Sequence, residues 1–63
     1  MKSLTDYEER IVYYKAATAF KYVYGFLAHD ADVDEPMALI CAMKAALTVR
    51  RTLADYFKSE NSR

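Results

Sequence analysis

Three aspartates at alternate positions form the clearest chemical pattern in the sequence. Asp30, Asp32 and Asp34 present carboxylates at the spacing with which calcium-binding loops surround a cation. Such a loop needs glycine at its sixth position and glutamate at its twelfth, where this chain has Glu35 and Cys41. Short acidic side chains also favour turns, because they compete for backbone hydrogen-bonding groups. We therefore interpret the segment as a turn and predict neither a metal nor a cofactor.

Other side chains that could catalyse a reaction are scarce. The one cysteine, Cys41, and the one histidine, His29, can form neither an intrachain disulfide nor a four-ligand zinc site. We interpret Cys41 as a small core residue, because the segment around it is mostly apolar. The sequence contains no nucleophile–base set, paired catalytic carboxylates or phosphate-binding glycine loop. We therefore predict no enzymatic activity and no small-molecule substrate.

Arg50 is a charged residue between apolar positions of the second predicted helix, Ala46 and Leu53. An unpaired charge in an apolar seam is costly. A helical hairpin would place Arg50 level with Tyr13 and Tyr14, so that stacking on a tyrosine or pairing with an acid of a partner chain is within reach. Arg50 is therefore either an interface residue that fixes the register of association or part of an anion or ligand site.

The outward face of the first predicted helix is a second candidate site. Its members are Tyr14, Lys15, Thr18, Lys21, Tyr22 and Gly25. Tyrosine is a typical contact residue, and a glycine on an exposed helical face costs about 1 kcal/mol relative to alanine unless another backbone approaches closely. We predict that these residues, together with Arg50, bind a partner. The alternative is that the glycine only loosens the last helical turn and the tyrosines cover the flanks of a bundle.

Two helices of similar length position these residues. Thr5-Asp6-Tyr7-Glu8 has the pattern of a capping box, which starts a helix. We predict helix one over about 6–29, a turn over 30–34, helix two over about 35–58 with Asp34 as its N-cap, and a frayed tail over 59–63. The turn is too short to separate the helices, so residues 1–63 should form one antiparallel helical hairpin.

The apolar residues exceed what one hairpin can bury. Helical periodicity predicts a core seam of Val12, Ala16, Ala19, Val23 and Leu27 on helix one. On helix two it predicts a seam of Leu39, Met43, Ala46, Leu53 and Phe57. The remaining apolar surface favours an all-α fold in which two hairpins pair as a four-helix bundle. The predicted dimer interface comprises Leu39, Ile40, Met43, Leu47 and Phe57.

Length and composition agree with association. A chain of 63 residues buries little surface alone, and it lacks the disulfides or metals that usually compensate. Nine basic and nine acidic residues cancel, which removes any global attraction to nucleic acid or anionic lipid. The sequence has neither an apolar run long enough to span a membrane nor a leader peptide, and with its lone cysteine this favours the cytoplasm and no membrane partner.

The turn sequence Asp30-Ala31-Asp32 and the aromatic residue Tyr14 midway along helix one also occur in a known architecture. In length, hairpin layout and inferred dimerisation the chain resembles the plasmid-encoded Rop family, homodimeric four-helix bundles that bind paired RNA loops through their first helices. The resemblance implies RNA as a possible partner, with Tyr14 at the family's aromatic contact position. The family's polar RNA-binding residues are not matched, and an RNA binder of this type would use Arg10, Lys15 and Lys21 beside Tyr14. The acidic pair Glu8 and Glu9 beside that region departs from the family's pattern.

Three functional hypotheses follow from these patterns. The first is a small cytoplasmic homodimer that acts as a regulator, an adaptor or a phage- or plasmid-type inhibitor by occupying the surface of a larger protein. The second is a Rop-like RNA-binding bundle, whose affinity would fall steeply with salt. In the third, one face of the bundle takes up an apolar ligand or a helix from a partner.

Overall fold

The computed structural model describes residues 3–61 as two antiparallel helices. Helix α1 spans Asp6–Gly25 and continues into a π-helical segment, Phe26–Asp30. Helix α2 spans Glu35–Asn61. No strand occurs within the described residues. The predicted all-α antiparallel hairpin is therefore confirmed.

The N-terminus of α1 is fixed by the capping box. The Thr5 hydroxyl accepts a hydrogen bond from the Glu8 backbone N–H at 3.1 Å, and a Glu8 carboxylate oxygen accepts one from the Thr5 N–H at 3.0 Å. These reciprocal bonds satisfy two of the free N–H groups at the helix end. The hydrogen bond from the Thr5 backbone, followed by that from the Asn61 side chain, lowers the pKa of Glu8 below its ordinary value.

The predicted end of helix two at residue 58 is wrong by about one turn. Helix α2 continues to Asn61, whose side-chain N–H donates to Glu8 at 2.9 Å and, at 3.4 Å, to the Ser3 carbonyl. This cross-link holds the last turn of α2 against the first turn of α1. The rest of the predicted frayed tail, residues 62 and 63, lies outside the described residues.

Helix one does not run as a regular α-helix to residue 29. Its last turn widens, so that the Ala31 N–H bonds to the carbonyl of Phe26 and the Val33 N–H to that of Leu27, at 2.9 and 2.8 Å. Asp32 then takes a left-handed conformation with φ 55°, which aspartate tolerates better than most residues. Asp32 and Asp34 thus lie in the predicted turn, whereas Asp30 ends the π-helical segment.

At the start of α2, the backbone carbonyl of Asp34 accepts from the Ala38 N–H at 3.0 Å. This bond places Asp34 at the predicted N-cap position.

Small side chains form the centre of the contact between the helices. The buried apolar residues are Val12, Ala16, Ala38 and Ala42. Helix one buries residues of its predicted seam. Helix α2 is rotated about its axis relative to the prediction, so that Leu39 and Met43, predicted to lie in the core of the hairpin, are exposed. Alanine permits closer approach of the two backbones than leucine or methionine, which explains why the alanine stripe faces α1.

The hairpin is only one layer of helices deep. It measures 45 × 15 × 13 Å, so each helix touches one neighbour and leaves much of its circumference uncovered. Within residues 3–61, no helix is long and apolar enough to cross a membrane.

Candidate interaction surfaces

An apolar groove runs along one side of the hairpin where α1 and α2 meet. It encloses about 440 Å³ and is lined by Tyr13, Ala16, Ala17, Phe20, Met43, Ala46, Leu47 and Arg50. We call these residues the apolar groove. Met43 is 61% exposed and Tyr13 is 75% exposed, although both carry large apolar surfaces that water solvates poorly.

The predicted dimer-interface residues lie on α2 around this groove. Met43 and Leu47 line it directly, whereas Leu39 lies one turn before Met43 on the same side of the helix. Ile40 is also exposed, and Phe57 is partly buried. Four large apolar side chains of α2, all at least one-third exposed, therefore lie within little more than two helical turns.

Arg50 lies at the edge of the groove rather than inside the hairpin. Its side chain is exposed and lines the groove with Tyr13. The sequence predicts that these two residues lie at the same height along the hairpin. No ion pair to Arg50 is found within the described part of the chain. In a single hairpin the guanidinium is solvated, so the predicted cost of a charge in the core does not arise. The cost would appear only if another molecule covered the groove.

The predicted partner-binding residues of α1 lie on the other side of that helix. Tyr14 and Tyr22 are each 73% exposed, and Lys21 is exposed between them. Thr18 is half-buried, and its hydroxyl donates to the Tyr14 carbonyl at 2.9 Å. We call Tyr14, Thr18, Lys21, Tyr22 and Gly25 the tyrosine face.

Lys15 belongs to a different surface from the rest of that predicted set. It lines a shallow groove on the opposite side of the hairpin from the apolar groove, with Thr18 on α1 and Thr48, Val49, Thr52 and Leu53 on α2. Thr18 is the residue that connects this shallow groove to the tyrosine face. The apolar groove and the tyrosine face share no residue.

Gly25 lines a hollow at the C-terminal end of the tyrosine face. The hollow is lined by Lys21, Tyr22, Tyr24, Gly25, Phe26, His29 and Asp30. A Cβ atom added at Gly25 would meet no atom within 4 Å, and its backbone is helical. Nothing in the hairpin itself therefore requires glycine here. The hollow lies where α1 passes into the π-helical segment, and π-helical turns are frequent at functional sites.

Two exposed aromatic residues beside these surfaces, Tyr7 and Phe26, are not among the predicted partner-binding residues. Tyr7 is strongly exposed and lies two turns before Tyr14, which extends the tyrosine face toward the N-terminus. Phe26 is exposed at the hollow. The spacing of Tyr7 from Tyr14 by seven residues was the signal in the sequence that could have identified the longer face.

Tyr24 links α1 to α2 near the turn of the hairpin. Its hydroxyl donates to a Glu35 carboxylate oxygen at 2.9 Å, and this hydrogen bond raises the pKa of Tyr24 above its ordinary value. The ring of Tyr24 also stacks on Phe20, with centroids 6.2 Å apart and an interplanar angle of 10°. The stack orders the aromatic wall of the apolar groove.

No family model, curated protein or solved structure matches this chain. The resemblance to the Rop family therefore remains a prediction from layout. Among residues 3–61, no group of three or more histidine, cysteine, aspartate or glutamate side chains is arranged to hold a metal ion. Functional inference therefore depends on the apolar groove and the tyrosine face.

Proposed function

We propose that this chain is a non-catalytic regulatory or adaptor protein that pairs as a homodimeric four-helix bundle and acts by occupying the surface of a larger protein. The tyrosine face would contact the larger protein, and the apolar groove would be buried between the two copies. The observation that carries the proposal is the excess of apolar surface in the described hairpin, whose buried residues are one valine and three alanines.

The accessible surface of the chain supports pairing. It amounts to 5101 Å², whereas the scaling for folded monomers gives about 4,200 Å² at this mass of 7.3 kDa. The difference, roughly 900 Å², is close to the ~800 Å² that each partner contributes to a standard protein interface. Pairing through the apolar groove would cover apolar surface, and a standard interface would cover about as much area as the chain exposes in excess.

The tyrosine face supports a second contact with a different protein. Tyrosine buries a large rigid ring at low entropic cost and keeps a hydroxyl for hydrogen bonding, which is why it is enriched at protein interfaces. The hollow at Gly25 adds a place where another backbone could approach α1 closely. Because this face points away from the apolar groove, a dimer would present it twice.

The proposed contact with a larger protein can be tested by comparative capture from lysate of the native host. The bait would be the wild-type chain, the Tyr14→Ala/Tyr22→Ala variant, and Arg51→Glu as an exposed control on α2. We expect a stoichiometric protein that is captured by the wild type and the control but not by the tyrosine variant. Capture of RNA that is lost steeply as salt rises would instead establish the Rop-like alternative. Equal capture by all three baits would refute the proposed role of the tyrosine face.

A further inference from the structure

We infer that the occupant of the apolar groove is a second copy of this chain docked with both turns at the same end, so that Arg50 of each copy lies against α1 of the other. This inference rests on the proposed homodimer and adds its orientation. It also assigns Arg50 a role, because the guanidinium would pair with Glu9 and stack on Tyr13 across the two-fold axis.

The groove has two distinct levels along its length. Arg50 and Tyr13 line it at one level, and Met43 and Phe20 line it at another. The two residues on each helix are seven apart, which corresponds to about 10 Å along the helix axis. Alanines lie between the levels. The groove therefore has a charged and aromatic level nearer the chain termini and a wholly apolar level nearer the turn.

Glu9 supplies a carboxylate on the same side of α1 as the groove. It precedes Tyr13 by four residues, so it lies about 6 Å further toward the N-terminus on the same helical face. Glu9 and Arg50 are both exposed, and no ion pair joins them within the described hairpin. The chain therefore carries a cation on α2 and an anion on α1, both at the margin of one apolar surface.

Docking with both turns at one end places α1 against α2 of the second copy at matching levels. Arg50 then faces Tyr13 of the second copy, with Glu9 of that copy one turn away, within reach of the long arginine side chain. Cation–π stacking and a charge-assisted hydrogen bond would both be available to the guanidinium. At the other level, Met43 faces Phe20 of the second copy, which is a favourable sulfur–aromatic pairing.

Docking with the turns at opposite ends brings no carboxylate of the second copy to Arg50. In that arrangement α2 packs against α2 and the levels are inverted, so Arg50 faces Met43 of the second copy. Covering a charge with apolar side chains is costly unless it finds a partner. Both orientations bury the same groove, so the apolar area that is covered does not distinguish between them. Charge complementarity therefore selects the orientation with both turns together.

Spin-label distance measurement on the full chain tests the orientation directly. A nitroxide at Ala31→Cys, in a Cys41→Ala background, reports the separation of the two turns without touching the groove. We expect about 20–30 Å, which is the width of a four-helix bundle plus the label arms. A distance near the 45 Å length of the hairpin would overturn this inference and leave the homodimer intact. Absence of any dipolar coupling at concentrations that saturate pairing would overturn both.

Charge exchange tests the role of Arg50 independently. Arg50→Glu should raise the dimer dissociation constant by about tenfold or more, and adding Glu9→Arg should restore much of that loss. Arg51→Glu makes the same charge change on the outward side of α2 and should have little effect. Circular dichroism would verify that each variant remains helical. Equal weakening by Arg50→Glu and Arg51→Glu, or failure of Glu9→Arg to rescue, would contradict the pairing.

Discussion

Replacing Gly25 with alanine separates the stability of the hairpin from the use of its outer face. Gly25 has helical backbone angles, and an added Cβ would meet no atom within 4 Å. Alanine therefore fits without strain and gains its full helix propensity, about 1 kcal/mol relative to glycine. For a domain of this size, that gain raises the melting temperature by about 4–8 °C. Thermal unfolding followed by circular dichroism would measure it.

A larger substitution at the same position tests the hollow. Gly25→Leu has a helix propensity close to that of alanine, so it should keep most of the stability gain while filling the space beside Tyr22 and His29. We expect Gly25→Leu to lose capture of the larger protein. A lower melting temperature for Gly25→Ala would refute the reasoning, because it would mean that the helical junction itself requires glycine.

Substitutions at three further positions test local contacts of the hairpin. The pKa of Glu8 is lowered in the folded chain. Its contribution to stability is therefore present above the unfolded pKa of about 4.5 and is lost as the pH falls through the folded pKa. Glu8→Gln keeps the capping box, and it should reduce this loss of stability at acid pH in urea unfolding. Asp32→Val should destabilise the hairpin by about 1–2 kcal/mol, since a β-branched residue tolerates positive φ poorly, whereas Asp32→Gly should not, as urea titrations would show. Asn61→Ala should speed hydrogen exchange in the last turn of α2 and leave the middle of the helix unchanged.

Local sequence signals predicted the starts of both helices better than their C-terminal ends. The capping box and the acidic turn act through residues only a few positions apart, so their structural meaning can be read directly from the sequence. The extension of α2 to Asn61 depends on a contact with Glu8, and no local pattern encodes a partner that lies on the other helix.

The rotation of α2 was harder to predict for a different reason. Its apolar residues cover most of the circumference between Met37 and Val49, so periodicity alone does not decide which stripe faces α1. The structure places Ala38 and Ala42 there and leaves Met43 in the groove. Helical periodicity predicts Leu39 and Met43 in the hairpin core, but close packing of two helices favours the smaller alanines.

The positions of the candidate site residues follow in part from the sequence. The exposure of Tyr14, Lys21 and Tyr22 follows from their helical spacing, and the structure places them on one face of α1. The separation of Lys15 onto a second groove, and the hollow beside Gly25, depend on how α2 and the π-helical segment lie against α1. Sequence spacing on one helix contains no information about those neighbours.

The mass of the chain in solution is the most direct test of the proposed pairing. We expect sedimentation equilibrium at micromolar concentration to give twice the chain mass of 7.3 kDa, and Met43→Glu, which introduces a charge into the apolar groove, to shift the chain toward the monomer. A wild-type chain that remains a stable, fully helical monomer at these concentrations would contradict the pairing.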